Sequence, residues 1–197
     1  MPSPASPQIQ GSDRTPLSHG YRFSRAQYER MVETGVLGPS DQVELIDGQI
    51  VPMGPQNSLH TITVERVRRV LDGCCPSEAY VRAQYPLALG HGSEPEPDVA
   101  VVPGTLDHHL DAHPSEALLV VEVADTSLAF DQDTKRRLYA QHGIPTYWIV
   151  NLPSACVEVY THPSDGDYTA KHTVPRNERL SVPFADAVIA CTDILSA

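Results

Sequence analysis

The stretch Leu118-Leu119-Val120-Val121-Glu122-Val123-Ala124 limits what this chain can fold into more than any other. A continuous apolar run of this length fits a strand covered on both faces, the central strand of a layered α/β domain. A carboxylate inside such a strand loses its hydration and needs a cation or hydrogen-bond donors in return. Glu122 is therefore either a strand-end charge matched to an arginine or part of a site.

The segments around this run alternate between helical and strand patterns. Residues 1–20 hold four prolines with Ser, Gln and Gly and little apolar content, the composition of a disordered tail. The folded part, residues 21–197, reads as a single domain opening at Tyr21-Arg22-Phe23. Ser24 is placed to cap a helix from Arg25 to about Thr34, closed by Gly35. Gln42 to Met53 reads as a hairpin about the turn Asp47-Gly48. A second helix is expected from Ser58 to Leu71, with the stripe Leu59, Ile62, Val67, Val70 and Leu71. Ala79 to Leu89 fits one or two strands, and Asp98 to Val102 is a short strand that opens on an acid. Residues 103–116 read as a loop. A helix is expected from Asp131 to His142, ended by Gly143 and Pro145, with Asp131 as its N-cap. Thr146–Asn151 and Ala155–Tyr160 continue the sheet, and a strand or two with an irregular end follow Tyr168. This order predicts an α/β (α+β) fold with a central mixed β-sheet flanked by helices.

Three residues carry chemistry together. Asp98 opens its strand directly after Pro97; if that strand neighbours the Glu122 strand, the two carboxylates converge. Like charges so close repel unless a divalent cation lies between them. Helical spacing places residues 135, 138, 139 and 142 on one face, so Lys135 heads the apolar stripe Leu138 and Tyr139, while Arg136 and Arg137 point elsewhere. A snorkelling stem is the plain alternative for this lysine. Two carboxylates holding Mg²⁺ beside an ammonium are the equipment for phosphodiester hydrolysis. The backbone carbonyl of Val123 is a candidate further ligand.

Several segments together resemble the Uma2 family of restriction-endonuclease-like proteins, within the PD-(D/E)XK nuclease superfamily. They are Tyr21-Arg22-Phe23 with Tyr28-Glu29-Arg30-Met31, Val43-Glu44-Leu45-Ile46-Asp47-Gly48, His60, and Pro97-Asp98-Val99-Ala100-Val101-Val102. Further along come Val121-Glu122-Val123-Ala124-Asp125-Thr126-Ser127, Asp131 with Lys135, Leu138-Tyr139-Ala140, Gly143-Ile144-Pro145 and Tyr147-Trp148-Ile149-Val150. The resemblance implies a restriction-endonuclease-like core with Asp98 and Glu122 as ligands of Mg²⁺ or Mn²⁺. The superfamily's usual lysine lies two residues after the acid, where this chain has Ala124; the Uma2 pattern places it on the next helix, at Lys135. Thr146 stands where a glutamate is expected. Glu44 matches the family's acidic hairpin motif and is a weaker catalytic candidate. His60 is another, as a phosphate ligand or proton carrier, against the plainer reading of a buried, hydrogen-bonded histidine.

The expected activity is metal-dependent endonucleolytic hydrolysis with DNA as partner, carried out by a homodimer if two strands are cut. The net charge of −11, from 14 basic and 25 acidic residues, works against broad nonspecific nucleic-acid binding. It motivates the alternative of a nuclease-fold protein that binds a nucleic acid or protein partner without cutting. Hydrolysis of small phosphorylated molecules is a third option. The cluster His108, His109, Asp111 and His113 has irregular spacing and reads as loop, not metal site, and Arg66, Arg68 and Arg69 read as a solvated helix face. Cys74, Cys75, Cys156 and Cys191 lack metal-site spacing and read as reduced thiols of a cytoplasmic protein. No secretory leader or membrane-spanning run is expected.

Overall fold

The computed structural model describes residues 20–38 and 40–195. The expected tail therefore lies outside the described residues, apart from Gly20. The chain folds as α1 (Arg25–Glu33), β1 (Val43–Ile46), β2 (Gln49–Pro52), α2 (Ser58–Asp72), β3 (Ala79–Arg82), β4 (Val99–Pro103) and β5 (Leu119–Ala124). After β5 come α3 (Leu128–Phe130), a π-helical turn (Asp131–Lys135), α4 (Arg136–Gln141), β6 (Thr146–Asn151), β7 (Cys156–Ser164), β8 (Asp167–Pro175), β9 (Arg179–Val182), β10 (Ala187–Ala190) and α5 (Cys191–Ile194).

One six-stranded mixed sheet, in the order β3-β4-β5-β6-β7-β8, forms the centre. The β5–β6 pair is parallel and every other pair is antiparallel. A parallel pair needs a crossover long enough to return to the same end of the sheet, and α3, the π-turn and α4 provide it. The side-chain period of two then sorts the strands between two cores. Val99, Val101, Leu119, Val121 and Val123 pack beneath α2 with Val64, Val67 and Leu71. Ala100, Val120 and Ala124 face the other layer, with Leu138, Tyr139, Tyr147 and Tyr160. Every residue of β5, Glu122 included, is buried, as expected of a strand covered on both sides.

Four sequence expectations change. The strand from Ala79 ends at Arg82, because Gln84 turns into the left-handed region at φ 56° and Pro86 follows. Leu59 and Ile62 are exposed, since the inward face of α2 is the one carrying Thr63, Val64, Val67 and Leu71. The C-terminus is a β9–β10 hairpin and a short helix, with Cys191 and Ile194 in the core. Asp131 is not a helix N-cap: the helical segment starts at Leu128, which places Asp131 inside it.

Candidate active site

Asp98 precedes β4 and Glu122 lies in β5, and the antiparallel register brings the two acids side by side at one end of the sheet. The backbone N–H of Asp98 donates to Glu122 Oε2 at 3.4 Å, and that of Val123 to Asp98 Oδ2 at 2.8 Å. His60, on the first turn of α2, approaches the same Oδ2 with Nε2 at 3.1 Å. Asn57 sets this approach, capping α2 by accepting the His60 N–H and donating through Nδ2 to Asp125 Oδ2, just beyond β5.

Lys135 reaches the pair from the π-turn. Its Nζ lies 3.0 Å from Glu122 Oε1 and 3.3 Å from Glu44 Oε1. Glu44 in β1 also accepts the Glu96 N–H through Oε2. Tyr139, one helical turn beyond Lys135, donates to Glu122 Oε1 at 2.6 Å. The π-turn is fixed in part by the Asp131 carbonyl, which accepts both the Arg136 N–H and the Tyr147 hydroxyl. It directs Asp131 and Lys135 into the cleft together, and single π-turns within helices are common at functional sites. The Asp131 carboxylate accepts the Ser127 hydroxyl at 2.5 Å.

Asp98, Glu122, Glu44, His60, Asp131 and Lys135 line a cleft of about 530 Å³, whose walls include six carboxylates and the Lys135 ammonium. Burial pushes the Glu122 carboxyl up to about 8; Lys135 opposes this, and Asp98, Asp131 and Glu44 add to it. Burial also raises Asp131, against Lys135 and the Ser127 hydrogen bond. For Lys135 burial works against the ammonium, but Glu122, Glu44 and Asp131 outweigh it and hold the group above its usual range. At 3.0 Å and an effective dielectric near 20, the Lys135–Glu122 attraction is about 5 kcal/mol, while desolvation costs several kcal/mol per ion. The two nearly cancel, so the pair is poorly explained as a device for stability.

The cleft carries more carboxylate than Lys135 and His60 can match, and its donors are hard oxygens, which fits a divalent cation such as Mg²⁺ or Mn²⁺. Among the described residues no three His, Cys, Asp or Glu side chains converge as a metal cluster. A cation held by Asp98 and Glu122 would therefore complete its sphere with waters and backbone oxygen, as Mg²⁺ readily does. Val123 lines the cleft.

All five sequence-predicted side chains, Asp98, Glu122, Lys135, Glu44 and His60, meet in this one cleft. His60 Nδ1 is shut off from solvent without a partner, which favours its holding Asp98 over carrying protons. Burial lowers the pKa of His60, but the Asp98 hydrogen bond and neighbouring acids raise it further, to above its usual value. The reading of single residues missed Tyr139 and Asn57, and took Asp131 for a helix N-cap, where the structure puts it in the cleft wall. Tyr139 was on the predicted inward stripe and carries a hydroxyl that burial obliges to find a partner. His108 and His109 lie in a short 3-10 turn, Leu106–His109, where His108 Nδ1 accepts the Thr105 N–H and His109 meets Tyr80, and His113 is exposed in the loop beyond. Arg68 and Arg69 pair with Glu65 on the outer face of α2.

Residues 25–191 match the model of the Uma2 family, described as "putative restriction endonuclease". Among solved structures, the crystal structure of "a putative nuclease belonging to DUF820" from Anabaena variabilis ATCC 29413 superposes with a TM-score of 0.67 at 18% identity. The match covers 83% of this chain and 96% of that one, and at this identity the likeness is one of fold. Among curated proteins nothing matches. No helix among the described residues is long and apolar enough to cross a membrane. With the sheet, the cleft and the family match in agreement, this chain belongs to the Uma2 family.

Proposed function

We propose that this chain is an endonuclease that hydrolyses DNA phosphodiester bonds with Mg²⁺ or Mn²⁺ held by Asp98, Glu122 and the Val123 carbonyl. The observation that carries the reading is the buried Glu122 carboxylate, set beside Asp98 and paired with Lys135 at the wall of an open cleft. The descriptions of the family and of the related structure, as restriction endonuclease and nuclease, support the same class. When bound, the cation would polarise a phosphate oxygen and ease deprotonation of an attacking water. Asp98 is oriented for its part by the Val123 N–H and His60. Lys135, kept charged by three carboxylates, is placed to donate a proton-bearing nitrogen toward charge developing on phosphate. Glu44 holds the second side of that ammonium and so positions it.

The test is purified protein with plasmid and linear DNA in Mg²⁺ or Mn²⁺, beside Asp98→Ala and Glu122→Ala. Cleavage by the wild type and its loss in both variants is expected. Absent wild-type cleavage, or equal cleavage by the variants, overturns the reading. The acidic cleft and the net charge of −11 favour a second reading, a nuclease-fold protein that binds its partner without cutting. Calorimetric titration with Mn²⁺ separates the two: binding that disappears in Asp98→Ala supports the enzyme, and no binding at this site supports the second reading.

A further inference from the structure

Strand β3 is the edge of the sheet, and its register pairs Arg82 with Ala100. Continued by two residues, this antiparallel register sets Gln84 opposite Asp98. Gln84 is tied there: its N–H donates to the carbonyls of Pro97 and Asp98, and its side-chain Nε2 lies 3.5 Å from Asp98 Oδ1. Its φ of 56° is uncommon for a residue with a side chain, and such conformations cluster at functional sites. The next residue, Tyr85, is 60% exposed and stands outside the cleft lining, just past the Gln84 that is tied to Asp98.

Arg82 differs from the cations that are tied up in ion pairs. Arg25, Arg68, Arg136 and Lys171 each pair with a carboxylate, whereas Arg82 has none within ion-pair distance among the described residues. Its Nε is shut off from solvent without an acceptor, and its guanidinium lies 5.5 Å from the centre of the Tyr85 ring. An exposed aromatic ring backed by an unmatched guanidinium is the equipment that stacks a nucleobase and meets its phosphate.

We infer that Arg82 and Tyr85 form a subsite on the sheet edge, outside the cleft and next to Gln84, that stacks one unpaired base of a DNA strand leading to the site. The location rests on the proposed nuclease reading. A base within a duplex has both faces covered, so a ring on the protein surface is served only by a base that is unpaired, flipped or terminal. Stacking also suits a chain of net charge −11, because it adds affinity without the phosphate neutralisation that this surface supplies poorly. The preferred substrate is then DNA carrying unpaired nucleotides next to the cut, such as an overhang or a single strand.

The test is fluorescence anisotropy of the whole chain with Ca²⁺ and labelled oligodeoxynucleotides: a single strand, a blunt duplex and a duplex with an overhang. Wild-type protein is expected to bind the single strand and the overhang more tightly than the blunt duplex. Tyr85→Ala should weaken binding to unpaired DNA by about tenfold, while Tyr85→Phe keeps it. Thermal melting of Tyr85→Ala should be unchanged, because the ring is mostly exposed. Unaltered binding by Tyr85→Ala, a Tyr85→Phe variant as weak as Tyr85→Ala, or no wild-type binding overturns the inference. A chain that binds unpaired DNA through Tyr85 and never cuts keeps the subsite and removes the nuclease reading. A chain that cuts, with Tyr85→Ala binding as wild type, does the reverse.

Discussion

Lys135 and Glu122 form a buried ion pair, Nζ to Oε1 at 3.0 Å, that joins the helical crossover to the central strand of the sheet. The same ammonium reaches Glu44 at 3.3 Å, so one lysine links the hairpin, the sheet and the crossover. The chain has only two lysines, and the other, Lys171, also pairs with a buried glutamate, Glu158. Four consequences of this arrangement can be measured.

Lys135→Met leaves Glu122 and Glu44 without their shared cation in a dry site. Breaking one side of a buried pair costs about 3–5 kcal/mol. Chemical denaturation above about pH 8, where Glu122 is ionised, should show that loss, and Lys135→Met/Glu122→Gln should recover part of it, because the orphaned charge is gone. A single variant as stable as the wild type would show that the ammonium is not tied to these carboxylates.

The metal-free protein should lose stability as pH rises. Glu122 is pushed up to about 8 and Glu94 to about 7, both mainly by burial, from a usual 4.5. A carboxyl raised in this way binds more protons folded than unfolded. Its contribution is complete below the unfolded pKa and fades as pH climbs through the folded one. His60, also raised, acts in the same sense, while His113, lowered by burial, opposes it. The melting midpoint should therefore fall between about pH 5.5 and 8.5, by about 2–4 °C for each kcal/mol lost. Mn²⁺ should recover more at the upper end, where it replaces the missing proton. A midpoint that stays level or climbs over this range would contradict the assignment.

Tyr139→Phe removes the hydroxyl that donates to Glu122 at 2.6 Å and leaves the packing of the ring intact. A hydrogen bond to a charged group is worth about 1.5–3 kcal/mol. Urea denaturation should show a loss of that order with an unchanged slope. No loss would mean that Lys135 alone satisfies the carboxylate.

Asn57 joins two elements, capping α2 beneath His60 and donating to Asp125. Asn57→Ala should cost about 0.5–2 kcal/mol. Asn57→Asp retains a capping oxygen but sets two carboxylates in contact, so it should fall below the wild type in stability. It should recover at high salt, which screens exposed charges. Equal stability of Asn57→Asp and the wild type at low salt would exclude the Asp125 link.

Much of the site was legible in the chain because its logic is local. An apolar run broken once marked β5 and its buried acid. Helical spacing turned Lys135 inward, and the Asp-Gly turn placed Glu44 in a hairpin. The outer stripe of α2 was misjudged, since Leu59 and Ile62 look apolar in sequence while His60 and Thr63 take the inward face. Residue type alone did not say which stripe the sheet would cover.

By itself the sequence determined that a doubly covered strand carries one carboxylate, because burying six consecutive residues on two faces depends only on their order. It also determined that a lysine on the next helix faces that strand, because helical phase is a local property. Tertiary structure decided the partners. Asp131 and Lys135, four residues apart, enter the cleft together from a π-turn, and it is the fold that sets them opposite Glu122 and Glu44. The Asp98–His60 contact and the Gln84–Asp98 approach join separate segments of the chain, and they exist only because the ends of β3 and β5 and the starts of β4 and α2 meet at one end of the sheet.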